Sequence, residues 1–206
     1  MPVATGEKPG VPAREPGLRE RKKQQTRESL RREAIRLFLA KGYEATTVEE
    51  IAAAADVSHM TFFRYFASKQ DVVDDGDTDA ELVRLIARRP AEEGPFTAVH
   101  RAMVELVDQR GADRNELTDV VRLILASSPL RSWLWEKHRV RERLVAEVLA
   151  GRHPEANQSD LAAVAAACVA VTGAAMATWA AGDGVADLRT LVDEAFGALR
   201  AAARAD

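Results

Sequence analysis

The sequence predicts an all-α fold of about nine helices: an N-terminal three-helix unit containing a helix-turn-helix, then a larger helical body. Three observations carry this. Apolar residues recur at spacings of three and four along nearly the whole chain, and no run alternates as a strand would. Pro90, Pro95, Pro129 and Pro154 fall between these periodic stretches or at their starts, where a missing backbone N–H is tolerated. Two very short helical segments, each with its own capping residue, follow one longer helix.

The elements follow in order. Met1 to Gly17 holds four prolines and three glycines and reads as a disordered arm, residues 1–17. Between Leu18 and Lys41, Leu30, Ala34, Leu37 and Phe38 form one apolar stripe on a charged helix, which Gly42 stops. Thr47 and Glu50 have capping-box spacing and open the first short helix, with Val48, Ile51, Ala52 and Ala55 facing inward. Asp56 and Val57 break it, and Ser58 caps the second. Ser68 to Asp71 repeats the capping pattern and predicts a helix over 68–88. Further helices are expected at 95–110, 115–127, 129–151, 159–182 and 187–204. The domain division is an 18–67 head and a 68–206 body. Within the body, Leu130, Trp133, Leu134, Val140, Leu144 and Val148 trace a core-facing stripe that Trp135 leaves.

Composition narrows the function. The 206 residues are 47% hydrophobic and 30% charged, which suits a soluble globule. The single cysteine, Cys168, has no internal partner, and the N-terminus lacks an apolar signal, so a cytoplasmic protein is expected. Residues 1–70 carry 13 Lys+Arg against 9 Asp+Glu, and the remainder 16 against 23, so a head of +4 sits on a body of −7. Such a head fits a polyanion or is merely a solvated face. No charge occurs from Leu161 to Gly182, but the stretch is Ala-rich and lacks flanking Lys, Arg or paired aromatic anchors. A buried interface helix is expected there rather than a membrane span.

Catalytic and metal motifs are missing. The acids Asp75, Asp77 and Asp79 alternate like a calcium loop, but Ala80 replaces the required glycine and Ile86 the bidentate Glu. His59, His100, His138 and His153 show no ligand spacing with Cys168. Ser127, Ser128 and Cys168 have no activating neighbour, and no glycine-rich phosphate loop is present. Neither an enzyme, nor a cofactor, nor a metal is expected.

The stretch TTVEEIAAAADVSHMTFFRYFASKQDVV, Thr46 to Val73, resembles the DNA-binding signature of TetR-family transcriptional repressors, with a match beginning near Thr26. The Phe-Phe-Arg-Tyr-Phe variant and LILASSPLRSWLWEKHRVRERL are similar to the subgroup of mycofactocin-system regulators. The resemblance implies a homodimer that binds a palindromic double-stranded DNA operator and is released by a small effector, here acyl-CoA or lipid-like. The dimer is expected to pair helices 159–182 and 187–204 as a four-helix bundle.

Carried over residue by residue, the family pattern puts Thr46 and Thr47 at a phosphate. It puts Ser58, His59, Met60 and Thr61 at the start of the recognition helix, with His59 and Met60 reading bases. Tyr65 and Lys69 match phosphate-touching positions, and Arg64 flanks them. Phe63 stands where most relatives have Tyr, and Asp56 where the turn usually has Gly. Phe62 and Phe66 are expected to pin the helix to its core. Arg19, Arg21, Lys22, Lys23 and Arg27 form a basic run that either tracks DNA phosphates or is a solvated tail. Met103, Leu123, Trp133, Trp135, His138, Thr172 and Met176 are the expected effector-binding residues. For Trp133 the core is the competing reading, and a constitutive regulator without an effector is the alternative function.

Overall fold

A computed structural model describes residues 17–74, 76–110 and 114–205; apart from Gly17, the expected 1–17 arm lies outside the described residues. They contain nine α-helices and no strand: α1 (Leu18–Lys41), α2 (Val48–Ala54), α3 (His59–Tyr65), α4 (Thr78–Ala87), α5 (Pro95–Arg110), α6 (Arg114–Ala126), α7 (Ser128–Arg152), α8 (Gln158–Ala181) and α9 (Leu188–Ala202). A single 3-10 turn, Gln70–Val73, precedes α4.

Local rules set the head. The Gly42 N–H bonds the Phe38 carbonyl at 2.9 Å, and its φ of 92° ends α1. At α2 both halves of the capping box form: Glu50 N–H to Thr47 Oγ1 at 3.2 Å and Thr47 N–H to Glu50 Oε2 at 2.8 Å. Asp56 takes the left-handed turn at φ 55°, and the Val57 N–H returns to the Ala52 carbonyl at 2.9 Å. Ser58 Oγ then accepts the Thr61 N–H and caps α3.

The expected helix 68–88 is broken. Ser68 Oγ donates to Asp71 Oδ2 at 2.7 Å, but only the 3-10 turn follows. Asp74 is extended, Gly76 is left-handed at φ 86°, and α4 begins after Asp77. The cause is tertiary. The Trp133 indole N–H holds Asp71 Oδ1 at 3.0 Å, and Lys137 holds Asp74 at 2.8 Å. Both acids are drawn to α7, and a Cβ on Gly76 would strike the Arg27 guanidinium.

Two apolar cores result. The body core joins α4, α5, α7, α8 and α9 around Leu85, Val99, Cys168, Trp179, Val192 and Phe196. The head core gathers Leu30, Phe38, Ile51, Phe62, Phe66 and Val72, and it is completed from the body by Val120, Leu123 and Ile124 of α6 and Leu130 of α7. The expected α7 stripe is therefore corrected. Leu130 is buried, but Val140 is exposed and Leu144 and Val148 are half-buried, while Val145 and Leu149 are fully covered. The helix serves the head with its first turns and the body with its last, and the buried face shifts by one residue between them.

Candidate DNA-binding surface

Helix α3 divides cleanly. Phe62 and Phe66 are buried, with ring centroids 5.5 Å apart, and anchor the helix from below. Fully covering one such ring contributes about 1.5–3 kcal/mol. On the outer side Met60 is 76% and Phe63 44% exposed, beside exposed His59 and Arg64. Two large apolar side chains are thus left largely exposed on a seven-residue helix, with Phe63 edge-on to Phe62 at 5.3 Å between ring centroids. They make this side of α3 the candidate contact surface.

The geometry around these residues is specific. His59 Nε2 lies 3.3 Å from Glu49 Oε1 of α2, and the His59 ring meets Phe63 edge-on with centroids 4.9 Å apart. The Arg64 guanidinium sits 5.3 Å from the Tyr65 ring centroid, and Tyr65 itself is half-buried against the head core. Ser58 and Thr61 share a hydroxyl contact at 2.9 Å, so both serve the cap of α3 at the rim of this surface. Thr47 is exposed at the start of α2, and Lys22 and Lys23 are exposed on the first turns of α1.

Three residues expected at phosphate have partners inside the protein. Thr46 is buried, and its hydroxyl donates to the Gly42 carbonyl at 2.9 Å, so it closes the α1–α2 loop from inside. Lys69 donates to the carbonyls of Tyr43 at 2.9 Å and Thr46 at 2.8 Å, with its ammonium 4.2 Å from the Tyr43 ring centroid. Burial lowers its pKa, against the pull of nearby Glu44. The ammonium is a strut between the α1–α2 loop and the segment after α3. Arg27 is half-buried, with its guanidinium 4.9 Å from the Phe66 ring centroid and against Gly76. Glu49 is the residue the sequence reasoning missed. Its neighbour Glu50 had the capping role, and nothing in linear spacing places position 49 beside His59.

The expected effector residues do not surround one cavity. Met103 lies in the body core and Leu123 in the head core. Trp133 and Trp135 line an open groove of about 760 Å³ with Gln70, Pro129 and Arg131, and Trp135 is 63% exposed. His138 packs into the space left by the absent side chain of Gly173, on the α7–α8 seam. Burial lowers its pKa, helped by the neighbouring Arg141 and opposed by Asp79. Along the same helix α8, Thr172 Oγ1 donates to the Cys168 carbonyl and Met176 packs on the body core. A second cleft of about 520 Å³ between α5 and α9 is lined by Arg89, His100, Arg101, Arg189 and Arg200, among others. Arg89 and Arg101 meet Glu93, Arg189 meets Asp108, and His100 lies 2.8 Å from Asp193. Among the described residues no group of His, Cys, Asp and Glu is arranged to hold a metal ion.

A helix-turn-helix with an exposed outer face, sharing its core with a larger helical body, is the architecture of a DNA-binding regulator. Comparison with known proteins gives the family. Residues 30–75 match the model of the bacterial regulatory proteins of the tetR family, and residues 93–204 match the MftR C-terminal domain. The chain belongs to the TetR family of transcriptional regulators. It is 37% identical over 145 residues to the HTH-type transcriptional regulator TcmR of Streptomyces glaucescens, a match covering 66% of this chain and 64% of that protein. It is 42% identical over 52 residues to the putative mycofactocin biosynthesis transcriptional regulator MftR of Mycobacterium tuberculosis, covering 25% of this chain and 26% of that one. The chain thus matches less than two thirds of the length of either relative. Among solved structures, a TetR-family regulator from Streptomyces coelicolor shares the fold at 20% identity and a TM-score of 0.58, covering 92% of this chain and 97% of its own. The Thermus thermophilus repressor FadR, solved with lauroyl-CoA, shares it at 24% identity and 0.51, covering 82% and 90%.

Proposed function

We propose that this chain is a ligand-responsive repressor that binds a palindromic operator as a homodimer. The division of α3 carries the reading: Phe62 and Phe66 fix the helix from inside while His59, Met60, Phe63 and Arg64 are exposed on its other side. Exposed Lys22, Lys23 and Thr47, with Tyr65 and Arg64, supply phosphate contacts around that face. Dimerisation is supported by α8. It is long and apolar enough to cross a membrane by length and composition, yet it packs against α5, α6, α7 and α9 on one side. Only 33% of its most apolar window is buried within one chain, so a second copy covering α8 and α9 accounts for the rest. The two recognition helices would then stand about 34–36 Å apart, one turn of DNA.

An acyl-CoA or lipid-like effector is supported by FadR of Thermus thermophilus, solved with lauroyl-CoA, and by FadR of Bacillus subtilis, solved with stearoyl-CoA, which share this fold. A second reading, a constitutive regulator, is favoured by one observation: the seven expected effector residues are divided between two cores, a seam and a groove. Selection from a random-core duplex library tests the first part; failure to enrich a two-fold symmetric site would sink the operator reading. A thermal-shift series with acyl-CoAs of graded chain length tests the second. At a hundredfold excess over Kd a true effector adds about 2.7 kcal/mol, and no shift with any member refutes this effector class.

A further inference from the structure

Helix α6 has three sides, each fastened to a different part of the chain. Val120, Leu123 and Ile124 close the head core, and Glu116 on the same side pairs with Arg31 of α1. Leu117 and Val121 pack on the body core. The third side presents Arg114, Thr118 and Arg122, one helical turn apart, to the connection between α8 and α9. There Arg122 Nε donates to the Ala180 carbonyl at 2.9 Å and its Nη2 holds the Asp183 carboxylate. The guanidinium thus caps the negative end of α8. Arg114 lies 3.1 Å from Asp187, the N-cap of α9. The connection is tight because Asp183 and Gly184 are both left-handed, at φ 60° and 66°. A Cβ on Gly184 would strike the hydroxyl of buried Thr118, so the turn is pressed against α6. From the α8 side it is fixed by the buried Trp179, whose indole N–H donates to the Ala186 carbonyl at 2.9 Å.

We propose that Arg122 is a positioning residue for operator recognition: it seats α6 against the α8–α9 turn, and α6 in turn sets the shape of the reading head. The place of α6 decides where Val120, Leu123 and Ile124 stand in the core that they share with Phe62 and Phe66. Arg122 adjoins Leu123 and Ile124 in the chain, so a loss at the guanidinium is felt first by the residues that close the head. With α6 unseated, Phe62 and Phe66 lose firm backing and α3 samples more than one orientation. Only the seated fraction reads DNA, and apparent affinity falls in proportion to that fraction. This path joins the body to the head without using the contacts of Asp71 and Asp74 with α7.

The inference rests on the operator-binding reading above, and its two measurements fail separately. Hydrogen exchange is followed by mass spectrometry in the full chain and in Arg122→Met, Asp183→Asn and Arg139→Met, all well below their melting midpoints. Affinity is measured on the duplex that wild type enriches, and sedimentation gives the oligomeric state. Asp183→Asn removes the carboxylate but keeps a residue that tolerates the left-handed turn. Arg139→Met deletes an exposed arginine of α7 and controls for charge. In Arg122→Met the amides of α2 and α3 are expected to exchange about tenfold faster, the equivalent of one charged hydrogen bond, while α5 and α9 keep wild-type rates. Affinity falls about fivefold or more at an unchanged oligomeric state. Asp183→Asn moves both quantities the same way by less, and Arg139→Met leaves head exchange unchanged. Exchange accelerated evenly over head and body in both Arg122→Met and Asp183→Asn is a general stabilising role and overturns the proposal. So do wild-type rates in α2 and α3, or a faster head with undiminished affinity. If wild type enriches no duplex, the operator reading fails and takes the recognition role with it, while the exchange rates show separately whether Arg122 seats the head.

Discussion

Lys69 decides between two accounts of the head, one read from sequence and one from structure. Lys69→Met keeps the stem and deletes the ammonium, so the carbonyls of Tyr43 and Thr46 lose donors at 2.9 and 2.8 Å and the Tyr43 ring loses its cation. Hydrogen bonds from a charged donor contribute about 1.5–3 kcal/mol each, and an exposed cation–π contact about 0.5–1 kcal/mol. Removing the ammonium also relieves the desolvation that lowers its pKa. The balance is a loss of about 2 kcal/mol, which for a chain of this size lowers Tm by about 4–8 °C. Circular-dichroism melts measure that, and a salt series on the selected duplex measures the alternative. A phosphate-bound lysine contributes about 0.9 to the slope of log K against log salt. An unchanged Tm with a slope reduced by that amount would refute the strut and restore the phosphate contact.

Three further outcomes are expected. Asp56→Val, which forces a β-branched residue to φ 55°, lowers stability by about 1–2 kcal/mol, whereas Asp56→Gly does not lower it; urea midpoints compare them. Arg89, bonded at 2.9 and 2.7 Å, and Arg101 hold the Glu93 carboxyl at a pKa of about 2, below its ordinary 4.5. The stability this provides is complete above the ordinary value and is lost as pH falls through about 2, so Glu93→Gln flattens the acid limb of a stability–pH curve over that window. Cys168 is fully buried and its thiol is pushed up to about 12 by burial, so Ellman's reagent at mildly alkaline pH labels the native protein only as fast as it opens, and labels it promptly in urea.

What the sequence disclosed was what its own neighbours decide. The Thr47–Glu50 box, the Gly42 stop and the Ser58 cap are set by residues within a few positions, and each stands as read. The i, i+4 pair Phe62 and Phe66 is buried for the same reason: helical periodicity puts both on one side. The break at 74–77 was hidden because its causes, Trp133, Lys137 and Arg27, are remote in sequence. The inward bonds of Thr46 and Lys69 were not legible because their partners are backbone carbonyls, which carry no signature in a sequence. The place of Leu123 in the head core was not legible, because a spacing pattern cannot tell which of two cores an apolar face will meet.

The sharing of α6 and α7 has a consequence for how the chain is made. The apolar interior of the reading head is finished by Val120, Leu123, Ile124 and Leu130. A nascent head with α1, α2 and α3 already extruded would still lack the side chains that close it. Its hydrophobic interior waits for translation to pass Leu130, and over that interval Phe38, Ile51 and Val72 have only part of their final cover. The same dependence makes an isolated N-terminal fragment a poor substitute for the whole protein: the part that meets DNA is held in shape by residues that belong to the body.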